Sequence, residues 1–237
     1  MGRADPDSPG DLRRSRRRGA RERRGRVSRP PAGGGHPGAG PGRRHPLLVV
    51  LSGPSGAGKD SVIARLRQRS EGFRVPVTMT TRPPRPGERD GRDYIFVSEE
   101  EFERRIEAGE LAEHARVYGR LYGVPRSELR RALDGSDAIV RVDVQGAATL
   151  RERLPGALFV YVEADSPQRL AERMRARGEA AEEIARRLRE SEAEEGRREH
   201  FDHVLLNEDG DLDAAVDELL AIIERARGRP ERPALEL

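Results

Sequence analysis

The chain has 237 residues, of which 35% are hydrophobic and 37% are charged, and its formal net charge is +3. It contains no cysteine, which excludes disulfides and thiolate metal sites, and no apolar run is long enough to cross a membrane. The N-terminus also lacks the apolar stretch of a signal peptide. We therefore expect a cytoplasmic protein without a membrane segment.

The net charge averages two unlike parts of the chain. Residues 1–45 hold 13 arginines against four acidic residues, which gives +9, whereas the remainder holds 32 basic and 38 acidic residues, which gives −6. The first segment is rich in Arg, Gly and Pro and has little to bury, so we predict a disordered N-terminal extension. Its arginines could contact nucleic acid, but a solvated extension is the favoured interpretation.

From residue 46 onward, short apolar runs alternate with segments of helical patterning. This alternation predicts an α/β fold with a parallel sheet. The apolar runs predict strands at 46–52, 138–144, 157–162 and 203–206, and a packing helix is predicted at 212–227.

Two segments differ from this pattern. Residues 74–134 combine short strand-like runs with turn residues, which predicts a small mixed β insertion between core segments 46–73 and 135–227. Residues 166–199 are rich in Arg and Glu and are typical of a mobile helical lid. Residues 228–237 are interpreted as a C-terminal tail.

A glycine-rich loop follows the first predicted strand. Residues 53–59 read Gly-Pro-Ser-Gly-Ala-Gly-Lys and precede a helical pattern. Strand, glycine loop and helix N-terminus are the context in which backbone N–H groups bind the phosphates of a nucleotide. Lys59 is the only lysine in the chain, which indicates a need for a compact ammonium at the β and γ phosphates. The next residue is Asp60, where such loops normally carry a hydroxyl that binds Mg²⁺, so metal coordination must differ in detail.

A longer motif gives a resemblance to a known family. Residues 80–96 read Thr-Thr-Arg-Pro-Pro-Arg-Pro-Gly-Glu-Arg-Asp-Gly-Arg-Asp-Tyr-Ile-Phe, which resembles the signature of guanylate kinases. Further motifs match in the same order from Glu113 to Asn207, so the resemblance covers about residues 46–227. It implies a P-loop nucleoside monophosphate kinase fold, with residues 74–134 as GMP-binding subdomain and about 166–199 as lid. It also implies transfer of the γ-phosphoryl group of ATP to GMP, with Mg²⁺ as cofactor.

The resemblance assigns residues to both substrates. Arginine forks match phosphate oxygens, and two carboxylates would accept hydrogen bonds from the guanine N1–H and exocyclic amine. The GMP-binding residues implied are Thr78, Arg82, Arg85, Tyr94, Glu113, Tyr122 and Asp143. The ATP-binding residues are Gly53, Pro54, Ser55, Gly56, Ala57, Gly58, Lys59, Asp60, Ser61 and Asn207. The catalytic residues are Lys59, Arg173, Arg177 and Arg187, and Asp60 is a candidate metal ligand. The acceptor phosphate is already an anion, so His114 is not needed as a base.

Three positions depart from the family pattern. Asp60 replaces a hydroxyl, Arg141 stands where an acidic residue is usual, and Val124 stands where a Ser or Thr normally contacts guanine O6. Our hypothesis is that Asp60 and Arg141 form an ion pair in place of the hydroxyl and the acid.

Two alternatives remain open. The run Gly-Lys-Asp-Ser also resembles the loop of ribose 1,5-bisphosphate phosphokinases, and a non-catalytic guanylate-kinase-like binding module would retain the same fold. The sequence leaves the oligomeric state undetermined.

Overall fold

The computed structural model describes residues 45–117, 119–229 and 233–237. The predicted N-terminal extension, except for His45, lies outside the described residues. Within these ranges, no helix combines the length and the apolar character needed to span a bilayer.

The main sheet has five parallel strands. Strand β1 (Leu48–Ser52) lies at its centre, between β7 (Asp137–Arg141) and β8 (Leu158–Ala164). The edges are β2 (Phe73–Arg74) beside β7 and β9 (His203–Asn207) beside β8. Every residue of β1 is buried, as its continuous apolar run predicts for a central strand covered on both faces. The predicted parallel α/β sheet is confirmed.

Helices cover both faces of this sheet. The described helices are α1 (Lys59–Arg69), α2 (Glu99–Glu107), α3 (Arg126–Leu133), α4 (Val144–Arg153), α5 (Pro167–Ala176), α6 (Ala181–Glu194) and α7 (Leu212–Arg227), with a 3-10 helix at Glu195–His200. Of these, α2 lies in the insertion and buries its Phe102 there instead of against the main sheet. Because side chains alternate along a strand, Val49 and Leu51 of β1 enter one hydrophobic cluster while Leu48 and Val50 enter another. The first cluster includes buried residues of α1, α5 and α7, and the second those of α3 and α4.

A second sheet lies in the sequence between β2 and β7. Its strands, in spatial order, are β4 (Ile95–Phe96), β3 (Met79–Thr80), β6 (Arg120–Pro125) and β5 (Leu111–Val117). The β3–β4 pair is parallel and the other two pairs are antiparallel, so this is the mixed β sheet predicted for the insertion. Its own small core comprises the buried side chains of Met79, Phe102, Leu111 and Leu121.

One strand boundary predicted from sequence is wrong. The strand predicted at 138–144 ends at Arg141, because the side chain of Asp143 caps α4. Its Oδ1 accepts hydrogen bonds from the backbone N–H groups of Gln145 and Gly146, at 2.7 and 3.0 Å. The apolar run therefore continues past the strand into the first turn of a helix.

Asp137 ties α7 and the chain segment before β1 to the main sheet. Its carboxylate accepts hydrogen bonds from the Leu47 N–H at 2.6 Å and from Arg227 Nε and Nη2 at 2.8 and 2.6 Å. We expect Asp137→Ala to lower the free energy of unfolding by about 1–3 kcal/mol, because it leaves half-buried donors unpaired. Asp217→Ala removes only an exposed ion pair with Arg69 and should cost less than about 0.5 kcal/mol. Urea unfolding of both variants tests this, and equal losses would contradict it.

Candidate active site

A cavity of about 860 Å³ opens where β1 and β7 end, between the main sheet and the insertion. Most of the residues assigned from sequence line it. They are Gly53, Ser55, Gly56, Gly58, Lys59, Asp60, Ser61, Thr78, Arg82, Arg85, Tyr94, Glu113, Tyr122, Asp143, Arg173, Arg177 and Arg187. The three that are not in its lining are Pro54, Ala57 and Asn207. One cavity therefore contains both groups of predicted binding residues.

The glycine loop lies tightly against neighbouring backbone. Gly53 has a φ of 130°, and a Cβ atom placed there would lie 2.1 Å from the carbonyl oxygen of Val162 in β8. Gly58, with a φ of 92°, is the N-cap of α1 and provides no capping side chain. The first turn of α1 can therefore present its N–H groups to an anion.

Lys59 folds back onto this loop. Its Nζ donates hydrogen bonds to the carbonyl oxygens of Gly53 and Pro54, at 2.5 and 3.0 Å. These contacts hold the ammonium beside the loop and in the cavity lining, where nucleotide phosphate oxygens would replace the carbonyls as its partners.

Asn207 lies behind the loop and contacts its backbone. Its side chain is 4% exposed, and Nδ2 donates a hydrogen bond to the carbonyl oxygen of Ala57 at 2.8 Å. Arg173 also contacts the loop and Asn207. Its Nη1 donates hydrogen bonds to the carbonyl oxygens of Gly56 and Ala57, and its Nη2 donates one to the carbonyl oxygen of Asn207. Asn207 and Arg173 thus fix the shape of the loop from outside.

The other two arginines assigned as catalytic from sequence, Arg177 and Arg187, share an acidic partner. Arg187 donates from Nη1 to Ser55 Oγ at 2.9 Å and lies 3.2 Å from a carboxylate oxygen of Glu179. Arg177 lies 3.5 Å from the other oxygen of Glu179. The carboxylate therefore offsets positive charge beside the loop, and phosphate groups would compete with it for both guanidinium groups.

The end of the cavity formed by the insertion contains a basic and aromatic group of side chains. Arg82 forms a two-point ion pair with Glu88 at 2.6 and 2.7 Å, and its guanidinium lies 4.9 Å from the ring centroid of Tyr94. Tyr94 and Tyr122 meet edge to face with centroids 6.3 Å apart. These contacts hold a planar guanidinium and two phenols in the same wall.

The carboxyl group of Glu113 has a pKa well above its ordinary value. Its side chain is 3% exposed, and its Oε2 atom has no hydrogen-bond partner among the described residues. Burial, with the nearby charge of Asp143, raises the pKa of Glu113 to about 8, although Arg153 acts in the opposite direction. A Cβ atom on Gly146 would lie 2.5 Å from Oε2, so only glycine leaves room for this carboxyl. A buried acceptor without a partner indicates a binding site for hydrogen-bond donors.

Two residues considered from sequence lie away from the cavity. Val124 is fully buried and packs with the residues of α3 and α4 in the second core cluster. His114 is exposed, next to the buried Glu113 on a strand whose side chains alternate between faces. Burial lowers the pKa of His114, and Arg153 contributes in the same direction.

The cavity also has lining residues that the sequence analysis missed. They are Arg116, Val117, Gly119, Gly123, Arg141, Val142, Gln145, Ala176, Arg186 and Glu190. Arg141 was noted only as a departure from the family pattern. The hypothesis about it is confirmed, because Arg141 Nε lies 2.8 Å from Asp60 Oδ1. A surface arginine such as Arg116 had no sequence signal to distinguish it from the many other arginines.

Comparison with known proteins identifies the family. The family model described as guanylate kinase matches residues 45–226. The chain belongs to the guanylate kinase family. It is 45% identical over 183 residues to a guanylate kinase of Gloeobacter violaceus, covering 76% of this chain and 88% of that protein. A guanylate kinase of Symbiobacterium thermophilum is 45% identical over 196 residues, covering 81% and 91%.

A more distant relative and a solved structure extend this comparison. The chloroplastic/mitochondrial guanylate kinase 2 of Oryza sativa is 40% identical over 195 residues, covering 81% of this chain and 68% of that protein. The crystal structure of guanylate kinase from Anaplasma phagocytophilum has a TM-score of 0.64 at 30% identity, covering 79% and 89%. This guanylate kinase family member therefore has relatives that match over most of its described length.

The raised pKa of Glu113 predicts a pH-dependent stability. The native state keeps the Glu113 proton up to about pH 8, whereas the unfolded chain loses it near the ordinary value of 4.5. The native state therefore binds more protons between these values, and the contribution of Glu113 to the free energy of unfolding falls as pH rises through that window. Glu113→Gln should remove this decline.

Urea unfolding at pH 5, 6.5 and 8 measures this effect. The exposed Glu107 of α2 serves as the matched control, and Glu107→Gln should keep the wild-type slope of stability against pH. A wild-type slope in Glu113→Gln would contradict the assignment of a raised pKa to this residue.

Proposed function

We propose that this protein is a guanylate kinase, an ATP-dependent nucleoside monophosphate kinase that converts ATP and GMP into ADP and GDP. One observation carries the proposal: a single cavity is lined by the phosphate loop with Lys59 and by two carboxylates, the buried Glu113 and the half-buried Asp143. The loop suits the triphosphate of a donor nucleotide. The paired carboxylates suit the N1–H and the exocyclic amine of guanine, two adjacent donors that adenine does not present.

The donor half would bind ATP through residues 53–61. In our proposal, backbone N–H groups and Lys59 bind the β and γ phosphates, and Arg173, Arg177 and Arg187 close over them from the lid. Arg173 and Arg187 already contact the loop, which supports this assignment. Asn207 would act on the nucleotide through the loop, since its amide holds the Ala57 carbonyl.

The acceptor half would bind GMP within the insertion, residues 74–134, and at the start of α4. Arg82, Arg85, Tyr94 and Tyr122 would bind the phosphate, because guanidinium and phenol groups donate hydrogen bonds to its oxygens. The base would lie against Glu113 and Asp143, with Thr78 nearby in the lining. An ionised Glu113 is needed to accept two donors, so GMP binding should release a proton below about pH 8.

The chemistry follows from this arrangement. A phosphate oxygen of GMP attacks the γ phosphorus of ATP, a new P–O bond forms, and the bond to the β–γ bridging oxygen breaks to release ADP. The attacking oxygen is already negatively charged, so no side chain has to remove a proton. Lys59 and the lid arginines would stabilise the charge on the transferred group, and holding both phosphates in line would supply much of the remaining acceleration.

A divalent metal ion, which we propose is Mg²⁺, fits the residues present. Mg²⁺ is usually bound through one or two carboxylates, several waters and the substrate phosphates. Asp60 lines the cavity with 70% of its side chain exposed, and Ser61 beside it provides a hydroxyl. When bound, the ion would neutralise charge on the β and γ phosphates. The cytoplasmic location expected from the sequence stays a prediction.

A substrate panel tests the proposed function. ADP release by the purified protein with Mg-ATP should be fastest with GMP, slower with dGMP and IMP, and minimal with AMP. Ribose 1,5-bisphosphate has no base to meet Glu113 and Asp143, so we expect little turnover with it. Lys59→Ala should reduce turnover at least about a hundredfold, because it removes a charge used in the transition state.

Other results of the substrate panel would favour a different function. Turnover with the sugar bisphosphate alone would favour a ribose 1,5-bisphosphate phosphokinase, and a preference for AMP would overturn the guanine assignment. Absence of turnover with every acceptor would favour a non-catalytic binding module.

Gly146→Ala tests the acceptor site independently of the phosphate loop. The added methyl group would lie 2.5 Å from Glu113 Oε2 and displace the carboxyl from its position. We expect KM for GMP to rise about tenfold while KM for ATP changes less than twofold. Gly72→Ala is the control, since its Cβ atom would lie an acceptable 3.4 Å from Ser70 Oγ. Equal effects on both substrates would contradict the assignment.

A further inference from the structure

We propose that Arg141 is a positioning residue that couples the two halves of the cavity, linking the acceptor residue Tyr94 to the start of the phosphate-loop helix through Asp60. The proposal rests on the proposed function, because the coupling concerns donor and acceptor substrates. It goes beyond the ion pair inferred from sequence, since it assigns that pair a role in communication between sites.

The contacts of Arg141 reach into both halves. On the donor side, Nε lies 2.8 Å from Oδ1 of Asp60, the second residue of α1. On the acceptor side, Nη2 donates to the carbonyl oxygen of Asp93 at 3.3 Å, and Nε lies 3.4 Å from the Tyr94 hydroxyl. The guanidinium also lies 4.8 Å from the Tyr94 ring centroid. One planar group therefore contacts helix α1 and the insertion at the same time.

Arg141 is much less exposed than Asp60, so it depends more on these contacts than Asp60 does. The side chain of Arg141 is 19% exposed, whereas that of Asp60 is 70% exposed. A guanidinium removed from water needs its partners to offset the loss of hydration, while an exposed carboxylate does not. Arg141 is thus held between its neighbours, and a shift of either neighbour changes the environment of the other.

Arg141 contacts residues near two different sheets, one on α1 beside the main sheet and one in the insertion. Tyr94 precedes β4 in the second sheet, and Asp60 lies in the first turn of α1, next to Lys59. No backbone pairing joins the two sheets among the strand pairs of the described residues. Arg141 itself ends β7 of the main sheet, so its backbone provides a fixed support for both contacts.

Coupling between substrates follows from this arrangement. Phosphates bound at the loop fix the first turn of α1, and Asp60 then holds Arg141 in the orientation that supports Tyr94 for the acceptor phosphate. By reciprocity, an acceptor bound at Tyr94 favours ATP binding by the same factor. We expect a saturating non-hydrolysable ATP analogue to tighten GMP binding at least about fivefold in the wild-type protein.

Calorimetric titration of the full chain tests the role. The dissociation constant of GMP is measured alone and with the ATP analogue, in the wild type and in Arg141→Met. We expect the ratio of the two constants to fall to about one in the variant, with affinity for the analogue alone changed less than twofold. Arg141→Lys retains the charge but not the planar fork and should recover only part of the ratio. Arg65→Met is the matched control, since Arg65 also pairs with an aspartate, Asp213, but lies on α1 outside the lining of the cavity.

A second variant keeps the test decisive if Arg141→Met is poorly folded. Asp60→Asn alters an exposed side chain and, with the analogue titrated without Mg²⁺ so that metal binding by Asp60 plays no part, should also reduce the ratio. Asp60→Asn combined with Arg141→Met should reduce it no further than Arg141→Met alone. A wild-type ratio in folded Arg141→Met, or a ratio of one in the wild type, would overturn the coupling role alone. Failure of the wild type to bind GMP under any condition would overturn the proposed function and this proposal with it.

Discussion

The position of the glycine loop between β1 and α1 is the constraint on which the rest of the site depends. The loop lies so close to β8 that only glycine fits at position 53, where a Cβ atom would come within 2.1 Å of a carbonyl oxygen. Lys59, Arg173 and Asn207 then bind the carbonyl oxygens that this conformation exposes. The conformation of the loop therefore fixes the positions of the Lys59, Arg173 and Asn207 side chains.

Paired charges are the second general property of the site. The arginines of both halves contact carboxylates: Arg82 contacts Glu88, Arg187 contacts Glu179, and Arg141 contacts Asp60. Such pairing keeps guanidinium groups oriented in a cavity that would otherwise hold many like charges. A ligand must compete with these acids, so only groups with several negative oxygens and the right spacing gain net affinity. Glu113 is different, because burial favours its neutral form and a ligand with donors favours its ionised form.

Sequence alone predicted the parts of the site that short continuous motifs form. The loop at 53–59 and the signature at 80–96 contain Lys59, Arg82, Arg85 and Tyr94, which line one cavity, and two linked departures predicted the Asp60–Arg141 contact. Positions that depend on tertiary packing could not be predicted. Asn207 lies behind the loop because β9 packs beside β8, and the strand ending at Arg141 is shorter than its apolar run because Asp143 caps a helix.

In the proposed function, one cavity binds both nucleotides with their phosphates facing each other. A bisubstrate analogue that joins adenosine to guanosine through five phosphates tests it most directly, by calorimetric titration of the purified protein with Mg²⁺. We predict a stoichiometry of one, and a saturating concentration of either an ATP analogue or GMP alone should displace the bisubstrate analogue competitively. The claim would be contradicted if the analogue bound no more tightly than ATP alone and left GMP binding unchanged.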